Sequence, residues 1–266
     1  MAGSTPYYEP VGDEAEVFRC AFEQRIPVLL KGPTGCGKTR FLEHMASRLG
    51  TAAGEPYPLV TVACHEDLTT SDLVGRYLLD TNGTHWIDGP LTRAVREGGI
   101  CYLDEVVEAR NDVTVIIHAL TDHRRMLPIE KLGTSIPAHP DFFLVISYNP
   151  GYQSSLKDLK HSTRQRFVAM SFSYPPAQIE ARIVAHEAGV DDALAQRLAF
   201  LAGKLRNLPP ETAAEGPSTR LLIHTARLVG SGLELQRAAD VAIVEAVTDD
   251  PVVQEGLRDV VTAVLG

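Results

Sequence analysis

Between residues 27 and 172, short continuous apolar runs alternate with segments in which apolar residues recur at helical spacing. The runs have the length of β-strands and lack the polar alternation of a half-exposed strand; they lie at residues 27–31, 59–64, 100–103, 142–147 and 167–172. Uniformly apolar strands separated by helices are typical of a parallel sheet with both faces covered. The pattern therefore predicts an α/β fold.

Two changes of pattern divide the chain further. Between residues 124 and 141, two apolar pieces flank a Leu-Gly-Thr turn and predict a hairpin inserted before the strand at 142–147. After Pro175 and Pro176, which end regular structure, no strand pattern returns. Helical spacing instead runs through residues 179–188, 193–205, 218–229 and 233–247. We therefore expect an α/β core at residues 1–174 and a small all-α domain at residues 175–266.

Composition and charge indicate a globular protein and argue against membrane insertion, disulfide bonds and nucleic-acid binding. The chain has 266 residues, 44% of them hydrophobic and 22% charged, as in ordinary globular proteins. No apolar run approaches the ~20 residues of a membrane span, and the N-terminus lacks a secretion signal. Four cysteines without a CxxC pair favour reduced thiols in the cytoplasm. A net charge of −9 argues against nucleic acid as a partner.

A phosphate-binding loop follows the first strand. The sequence G-P-T-G-C-G-K-T fits the pattern G-x-x-x-x-G-K-[ST] and precedes a helical segment, as the motif requires. Its glycines allow backbone N–H groups to surround phosphates, its lysine neutralises phosphate oxygens, and its threonine offers a hydroxyl to Mg²⁺. A glycine-rich turn without a ligand is the alternative. The predicted ATP-binding residues are Gly32, Pro33, Thr34, Gly35, Cys36, Gly37, Lys38 and Thr39.

A pair of carboxylates ends the strand at residues 100–103. Asp104 is predicted to bind Mg²⁺ together with Thr39, and Glu105 to polarise the attacking water. A single D-E dipeptide could be a strand-end cap, but the dipeptide together with the phosphate loop indicates ATP hydrolysis. The chain contains no N-K-x-D, the guanine-recognition sequence, so ATP is favoured over GTP.

Four further polar residues are candidates for catalysis. Asn149 follows the strand at 142–147 and could orient the same water, although Asn before Pro150 is also a common turn. Arg164 and Arg166 precede the last strand, and an arginine there could stabilise the transferring phosphoryl group of a neighbouring subunit. Ordinary surface solvation is the alternative for each. Arg220 opens a helix of the all-α domain and could reach the same nucleotide.

Together these stretches resemble a known family. The phosphate loop, Asp104-Glu105, Asn149, Arg166-Phe167 and P-S-T-R ending at Arg220 occur in the order found in AAA+ ATPases of the MoxR branch. The sequences V-A-C-H-E-D at 62–67, L-V-G-R at 73–76 and C-Y-L-D-E-V-V-E-A-R at 101–110 are more narrowly similar to the CbbQ/NirQ/NorQ family. The similarity extends over S-Y-N-P-G-Y-Q at 147–153 and covers nearly the whole chain.

The resemblance implies a P-loop AAA+ three-layer α/β/α core with an all-α lid domain, assembled as a homo-hexamer with ATP sites between subunits. It assigns Asn149 as sensor 1, Arg220 as sensor 2 and Arg166 as the finger acting on the next subunit, with Arg164 assisting. A helix-2 insert at about 75–89, in which Trp86 is expected in a loop, and a pre-sensor-1 hairpin at about 124–141 would face the pore or a partner.

The resemblance also implies a function. Family members work with a partner that carries a von Willebrand factor A domain and remodel Rubisco or a metalloenzyme. Release of inhibitory sugar phosphates from Rubisco is our leading expectation, and metal insertion into nitric oxide reductase is the alternative. A different class of hypothesis is a non-motor switch that binds ATP and turns it over little.

Overall fold

The computed structural model describes residues 5–50, 55–81, 83–150, 159–209 and 216–266. Contacts among them group the chain into two units. The α/β unit comprises the residues before Thr34 together with Lys38–Phe172. The helical unit comprises Ser173–Gly266, and Thr34–Gly37 cluster with it.

A five-stranded sheet with the order β2-β5-β8-β1-β9 forms the centre of the α/β unit, and every neighbouring pair is parallel. Its strands are β1 (Val28–Lys31), β2 (Leu59–Ala63), β5 (Gly99–Asp104), β8 (Phe142–Tyr148) and β9 (Val168–Ser171). Because the strands are parallel, their carboxyl ends meet at one edge. At that edge Asp104 ends β5, Asn149 follows β8 and the phosphate loop follows β1, and these three strands are adjacent.

The three inner strands, β1, β5 and β8, are buried on both faces and are largely apolar, whereas the edge strands β2 and β9 are partly exposed. Successive side chains of a strand point to opposite faces. Leu29, Leu103 and Ile146 accordingly belong to one core, whereas Leu30, Tyr102 and Val145 belong to the other. The predicted three-layer α/β/α architecture is confirmed.

Helices cover each face. The helices of the α/β unit are α1 (Glu14–Glu23), α2 (Lys38–Leu49), α3 (Thr70–Val74), α4 (Pro90–Glu97), α5 (Asn111–Thr121) and α6 (His161–Arg164). Helices α1 and α2 contribute Phe18 and Phe41 to one core, and their rings meet edge to face at 5.3 Å. Helices α3, α4 and α5 contribute Leu73, Leu91 and Ile117 to the other.

Two antiparallel hairpins lie outside the main sheet. One pairs β3 (Gly75–Asp80) with β4 (Gly83–Asp88), and the other pairs β6 (Met126–Ile129) with β7 (Thr134–Pro137). Trp86 lies within β4, so its expected position in a loop was wrong. Its partner across the hairpin is Tyr77, with the two rings in edge-to-face contact at 5.3 Å. Cross-strand aromatic pairing of this kind stabilises a hairpin in a region rich in polar residues.

The helical unit has its own apolar core. Its helices are α7 (Ala177–Ala188), α8 (Asp192–Arg206), α9 (Thr219–Gly230), α10 (Leu235–Ala239), α11 (Glu245–Val247) and α12 (Pro251–Leu265). A π-helical turn, Asp240–Val244, interrupts the continuous helix expected at 233–247. Helix α12 was missed from the sequence, although Asp250 caps Val252 N–H and Pro251 occupies the first turn, both typical start signals.

No helix among the described residues is long and apolar enough to cross a membrane. The four cysteines lie in described regions and are free thiols. Cys36, Cys64 and Cys101 are buried, and Cys20 is exposed.

Candidate functional site

The phosphate loop connects β1 to α2. Gly32 lies so close to the end of β9 that a Cβ atom built on it would be 2.4 Å from the carbonyl oxygen of Phe172. Gly37 has φ of +100°, a backbone conformation that side chains with a Cβ rarely adopt. These two positions therefore require glycine, as expected of a loop that directs N–H groups toward a phosphate.

Lys38 opens α2 and is only 8% exposed. Its Nζ donates hydrogen bonds to the carbonyl oxygens of Gly32, at 2.8 Å, and Pro33, at 2.9 Å. These contacts fold the lysine back over its own loop. Phosphate oxygens can replace the carbonyls as acceptors, so the ammonium group is already positioned at the loop and close to the positive end of the α2 dipole.

Hydroxyl groups hold Asp104, the last residue of β5. Its Oδ1 accepts hydrogen bonds from Ser147 Oγ and from Tyr102 O–H, each at 2.5 Å. Thr39 is a further hydrogen-bond partner of the Tyr102 hydroxyl, which joins the phosphate loop to the carboxylate. The α/β unit thus brings the two predicted Mg²⁺ ligands, Thr39 and Asp104, into one hydrogen-bonded group.

The carboxylates create a negative field around this group. Burial, and then the charge of Asp104, raise the pKa of Tyr102, so its hydroxyl remains a neutral donor. Burial, and then the charges of Asp104 and Glu105, raise the pKa of Cys64 to about 12. A divalent cation offsets such a field, and a hydroxyl plus a carboxylate are oxygen ligands of the kind that Mg²⁺ prefers. The residues present therefore fit Mg²⁺ as a cofactor.

Glu105 has a strained backbone. Its φ of +55° and ψ of +46° lie in the left-handed region, which is uncommon for a residue with a Cβ and costs on the order of 1 kcal/mol. Its N–H donates to Ser147 Oγ at 3.1 Å, and its side chain is exposed. Strain of this kind is common at functional sites. Ser147 therefore contacts both members of the carboxylate pair.

Asn149 follows β8 directly and is 6% exposed. Strand β8 lies between β5 and β1, so Asn149 shares the edge of the sheet at which Asp104 and the phosphate loop lie. The family-like sequence S-Y-N-P-G-Y-Q at 147–153 continues past Asn149, and its residues 151–153 lie outside the described residues.

The two candidate finger residues have different environments. Arg164 ends α6 and is partly buried, whereas Arg166 lies in the turn before β9 and is exposed. Burial, and then the positive charges of Arg166 and Lys160, lower the pKa of His118 on α5. Arg166 therefore lies near α5, and its exposure leaves it accessible to a neighbouring molecule.

Arg220 belongs to the helical unit, where it is exposed in the first turn of α9. Within this unit, a Cβ atom built on Gly35 would lie 2.6 Å from Cβ of Ser218 and 3.8 Å from Cβ of Arg220. Thr34–Gly37 cluster with the helical unit through such contacts. Arg220 is thus near one part of the phosphate loop.

Comparisons with known proteins identify the family of this chain. The family described as "AAA domain (dynein-related subfamily)" matches residues 27–167, and "CbbQ/NirQ/NorQ C-terminal" matches residues 180–264. The chain belongs to the CbbQ/NirQ/NorQ family of AAA+ ATPases.

Relatives in this family match over almost their whole length. Protein CbbQ of Hydrogenophilus thermoluteolus is 57% identical over 97% of this chain and 94% of its own. Protein NorQ of Paracoccus denitrificans is 57% identical over 100% and 96%. Denitrification regulatory protein NirQ of Pseudomonas aeruginosa is 56% identical over 98% of each chain.

A solved structure shares the fold of this CbbQ/NirQ/NorQ protein. A mutant of RuvB from Thermotoga maritima superposes with a TM-score of 0.55 at 17% identity, covering 95% of this chain and 71% of that one. The family models and the relatives confirm the expected family and ATPase activity.

Sequence reasoning assigned no role to Tyr102 or Ser147, although both contact Asp104. A signal was present for each. Tyr102 precedes Asp104 by two residues and so points to the same face of β5. Ser147 is a polar residue that directly follows the apolar run of β8.

Ser147 gives a first prediction for this CbbQ/NirQ/NorQ protein. Ser147→Ala removes the acceptor of the partly buried Glu105 N–H and one of the two donors to Asp104 Oδ1. We expect the free energy of unfolding of the α/β unit to fall by about 1–3 kcal/mol. Urea denaturation followed by fluorescence of Trp86, the only tryptophan, reports on this unit.

Ser171→Ala on β9 is the matched control, since Ser171 is exposed. It should change the free energy by less than about 0.5 kcal/mol. Equal effects of the two substitutions would show that the hydroxyl network around Asp104 contributes nothing to stability.

Proposed function

We propose that this chain is the motor of a remodelling system that hydrolyses ATP, with Mg²⁺ as cofactor, to activate a client enzyme. The observation that carries the proposal is the hydrogen-bonded group of Thr39, Tyr102, Asp104 and Ser147. It fixes a hydroxyl and a carboxylate beside the lysine of the phosphate loop. A protein that only binds nucleotide has no need for a strained acidic residue, Glu105, next to that carboxylate.

Each residue then has a role in hydrolysis. Lys38 exchanges the carbonyls of its own loop for phosphate oxygens, and the N–H groups of residues 32–39 surround the β-phosphate. Thr39 and Asp104 would hold Mg²⁺, which would neutralise phosphate charge when bound. Glu105 takes a proton from a water oriented by Asn149, and the water oxygen bonds to the γ-phosphorus as the bond to the β–γ bridging oxygen breaks.

Two arginines complete the proposed site. The exposed Arg166 would act on ATP bound by a neighbouring subunit in a homo-hexamer, where its charge stabilises the transferring phosphoryl group. Arg164 would assist from the end of α6. Arg220 would contact nucleotide bound in the same chain, a role supported by the closeness of Ser218 and Arg220 to Gly35.

The proposed partner carries a von Willebrand factor A domain, and the proposed client is Rubisco blocked by a sugar phosphate. Nitric oxide reductase awaiting its metal is the second candidate, because the names CbbQ, NorQ and NirQ occur among relatives of equal identity, 56–57%.

Two clients tested side by side separate these candidates. Inhibited Rubisco and metal-free nitric oxide reductase are each incubated with ATP, Mg²⁺, the partner and either the wild-type chain or Lys38→Ala. We expect Rubisco activity to return with the wild type alone. Recovery of the reductase instead, with Rubisco unchanged, would transfer the function to reductase maturation. If neither client responds although ATP is hydrolysed, the remodelling role is wrong.

A further inference from the structure

A buried ion pair crosses the core of the helical unit. Glu180 on α7 is fully buried, and its two carboxylate oxygens accept hydrogen bonds from the guanidinium of Arg206 at 2.7 and 2.8 Å. The Arg206 side chain is 14% exposed. A third donor, Thr219 Oγ1, reaches the same carboxylate at 2.6 Å. Such a pair survives burial only when its polar atoms are well satisfied, as they are here.

The same guanidinium makes two contacts that a simple ion pair does not require. Its Nε donates to the carbonyl oxygen of Pro217 at 2.8 Å. Its central carbon, Cζ, lies over the ring of Tyr174, 3.9 Å from the centroid. The backbone at Gly216 packs directly on Arg206, since a Cβ built there would lie 2.6 Å from Arg206 Cγ. Arg206 therefore holds the turn that leads into α9.

The contacts continue from Tyr174 to the phosphate loop. The hydroxyl of Tyr174 donates to the carbonyl oxygen of Thr34 at 3.1 Å, and Thr34 belongs to the segment that clusters with the helical unit. On the other side of Arg206, Pro217 and Thr219 flank Ser218 and immediately precede Arg220. Arg206 thus connects Thr34 with the start of α9, because it contacts both the ring of Tyr174 and the carbonyl of Pro217.

We propose that Arg206, fixed by Glu180, is a positioning residue that holds Arg220 in register with residues 34–37 of the phosphate loop during ATP hydrolysis. The proposal rests on the function proposed above for Arg220. It explains why arginine is needed: two guanidinium nitrogens bind the two oxygens of Glu180, the third nitrogen binds Pro217, and the cation lies over the ring of Tyr174. The ammonium group of lysine is a single point charge and cannot make these contacts together.

Arg206→Lys tests the proposal because it keeps the charge and most of the volume. We expect kcat for ATP to fall roughly tenfold, since small displacements of a group that stabilises the transition state have large effects on rate. The KM for ATP should change by less than about threefold, because residues 32–39 still bind the phosphates. Arg197→Lys is the matched control: Arg197 also lies on α8 and donates to a backbone carbonyl, that of Leu265, at 2.7 Å.

A double-mutant cycle with Arg220→Ala separates positioning from stability. If Arg206 acts through Arg220, adding Arg206→Lys to Arg220→Ala should lower kcat by less than about twofold. If the losses of kcat caused by Arg206→Lys and by Arg220→Ala multiply in the double variant, the proposal is wrong. An unchanged kcat in Arg206→Lys would also overturn it. If Arg220→Ala alone leaves kcat unchanged, the function proposed for Arg220 is wrong, a result distinct from the failure of the positioning role.

Thr219→Val gives the same test with a smaller perturbation. It removes one hydrogen bond to Glu180 and leaves the ion pair with Arg206 intact. We expect a loss of kcat in the wild-type background and none in Arg220→Ala, with the thermal unfolding midpoint recorded for every variant. A loss of kcat that instead follows the fraction of unfolded protein would assign Arg206 and Thr219 to stability alone and overturn the proposal.

Discussion

Arg166→Ala is expected to lower ATP turnover by about 10³- to 10⁵-fold, the range measured for arginine fingers in related chemistry. Arg166 is exposed at the turn before β9, so its guanidinium can reach a neighbouring subunit. Steady-state phosphate release by the assembled protein is the measurement. Arg19→Ala is the control, since Arg19 is an exposed arginine of α1 whose ion pair with Glu23 is unrelated to the site.

Mixed assemblies test whether the arginine acts on another subunit. Subunits carrying Arg166→Ala are mixed with subunits carrying Lys38→Ala, each of which is inactive alone. Random mixing in a ring gives complete sites at roughly a quarter of the interfaces, where Lys38 and Arg166 come from different chains. Activity should return on mixing. If subunits exchange and activity does not return, Arg166 does not act between subunits. If Arg166→Ala alone lowers turnover by less than about threefold, the role belongs to Arg164 instead.

Glu105→Gln is expected to lower ATP turnover by about 10²- to 10⁴-fold while ATP still binds. The amide keeps the size of the side chain and the N–H contact to Ser147, but it cannot take the proton of the attacking water. Turnover is measured beside equilibrium binding of a fluorescent ATP analogue. Glu97→Gln makes the same change of charge at an exposed position on α4 and should leave turnover within about twofold.

The same experiment separates a motor from a switch. A switch would bind ATP and show equally negligible turnover in the wild type and in Glu105→Gln. That outcome would show that the remodelling proposal is wrong, whereas the proposed ATP-binding residues would still stand.

Much of the fold could be predicted because it depends on local patterns. The inner strands of the central sheet are buried on both faces, so each is a largely apolar run that the hydrophobic pattern identifies. The hairpin strands at Gly75–Asp80 and Gly83–Asp88 were not predicted, because their apolar residues Tyr77, Leu78 and Leu79 are consecutive rather than alternating, and most side chains of the hairpin are exposed. Helix α12 could have been predicted from local sequence, since Asp250 and Pro251 are typical helix-start residues.

The sequence by itself determined the chemistry of the phosphate loop, since the motif at residues 32–39 needs only adjacent residues, and it determined the family. Only the tertiary structure decided which distant residues support that chemistry. Ser147 contacts Asp104 across 43 positions because β5 and β8 are neighbours in the sheet. Arg206 pairs with Glu180 across 26 positions because α7 packs against α8. Hydrogen bonds between residues so far apart depend on strand order and helix packing, which a local pattern of hydrophobic and polar residues does not specify.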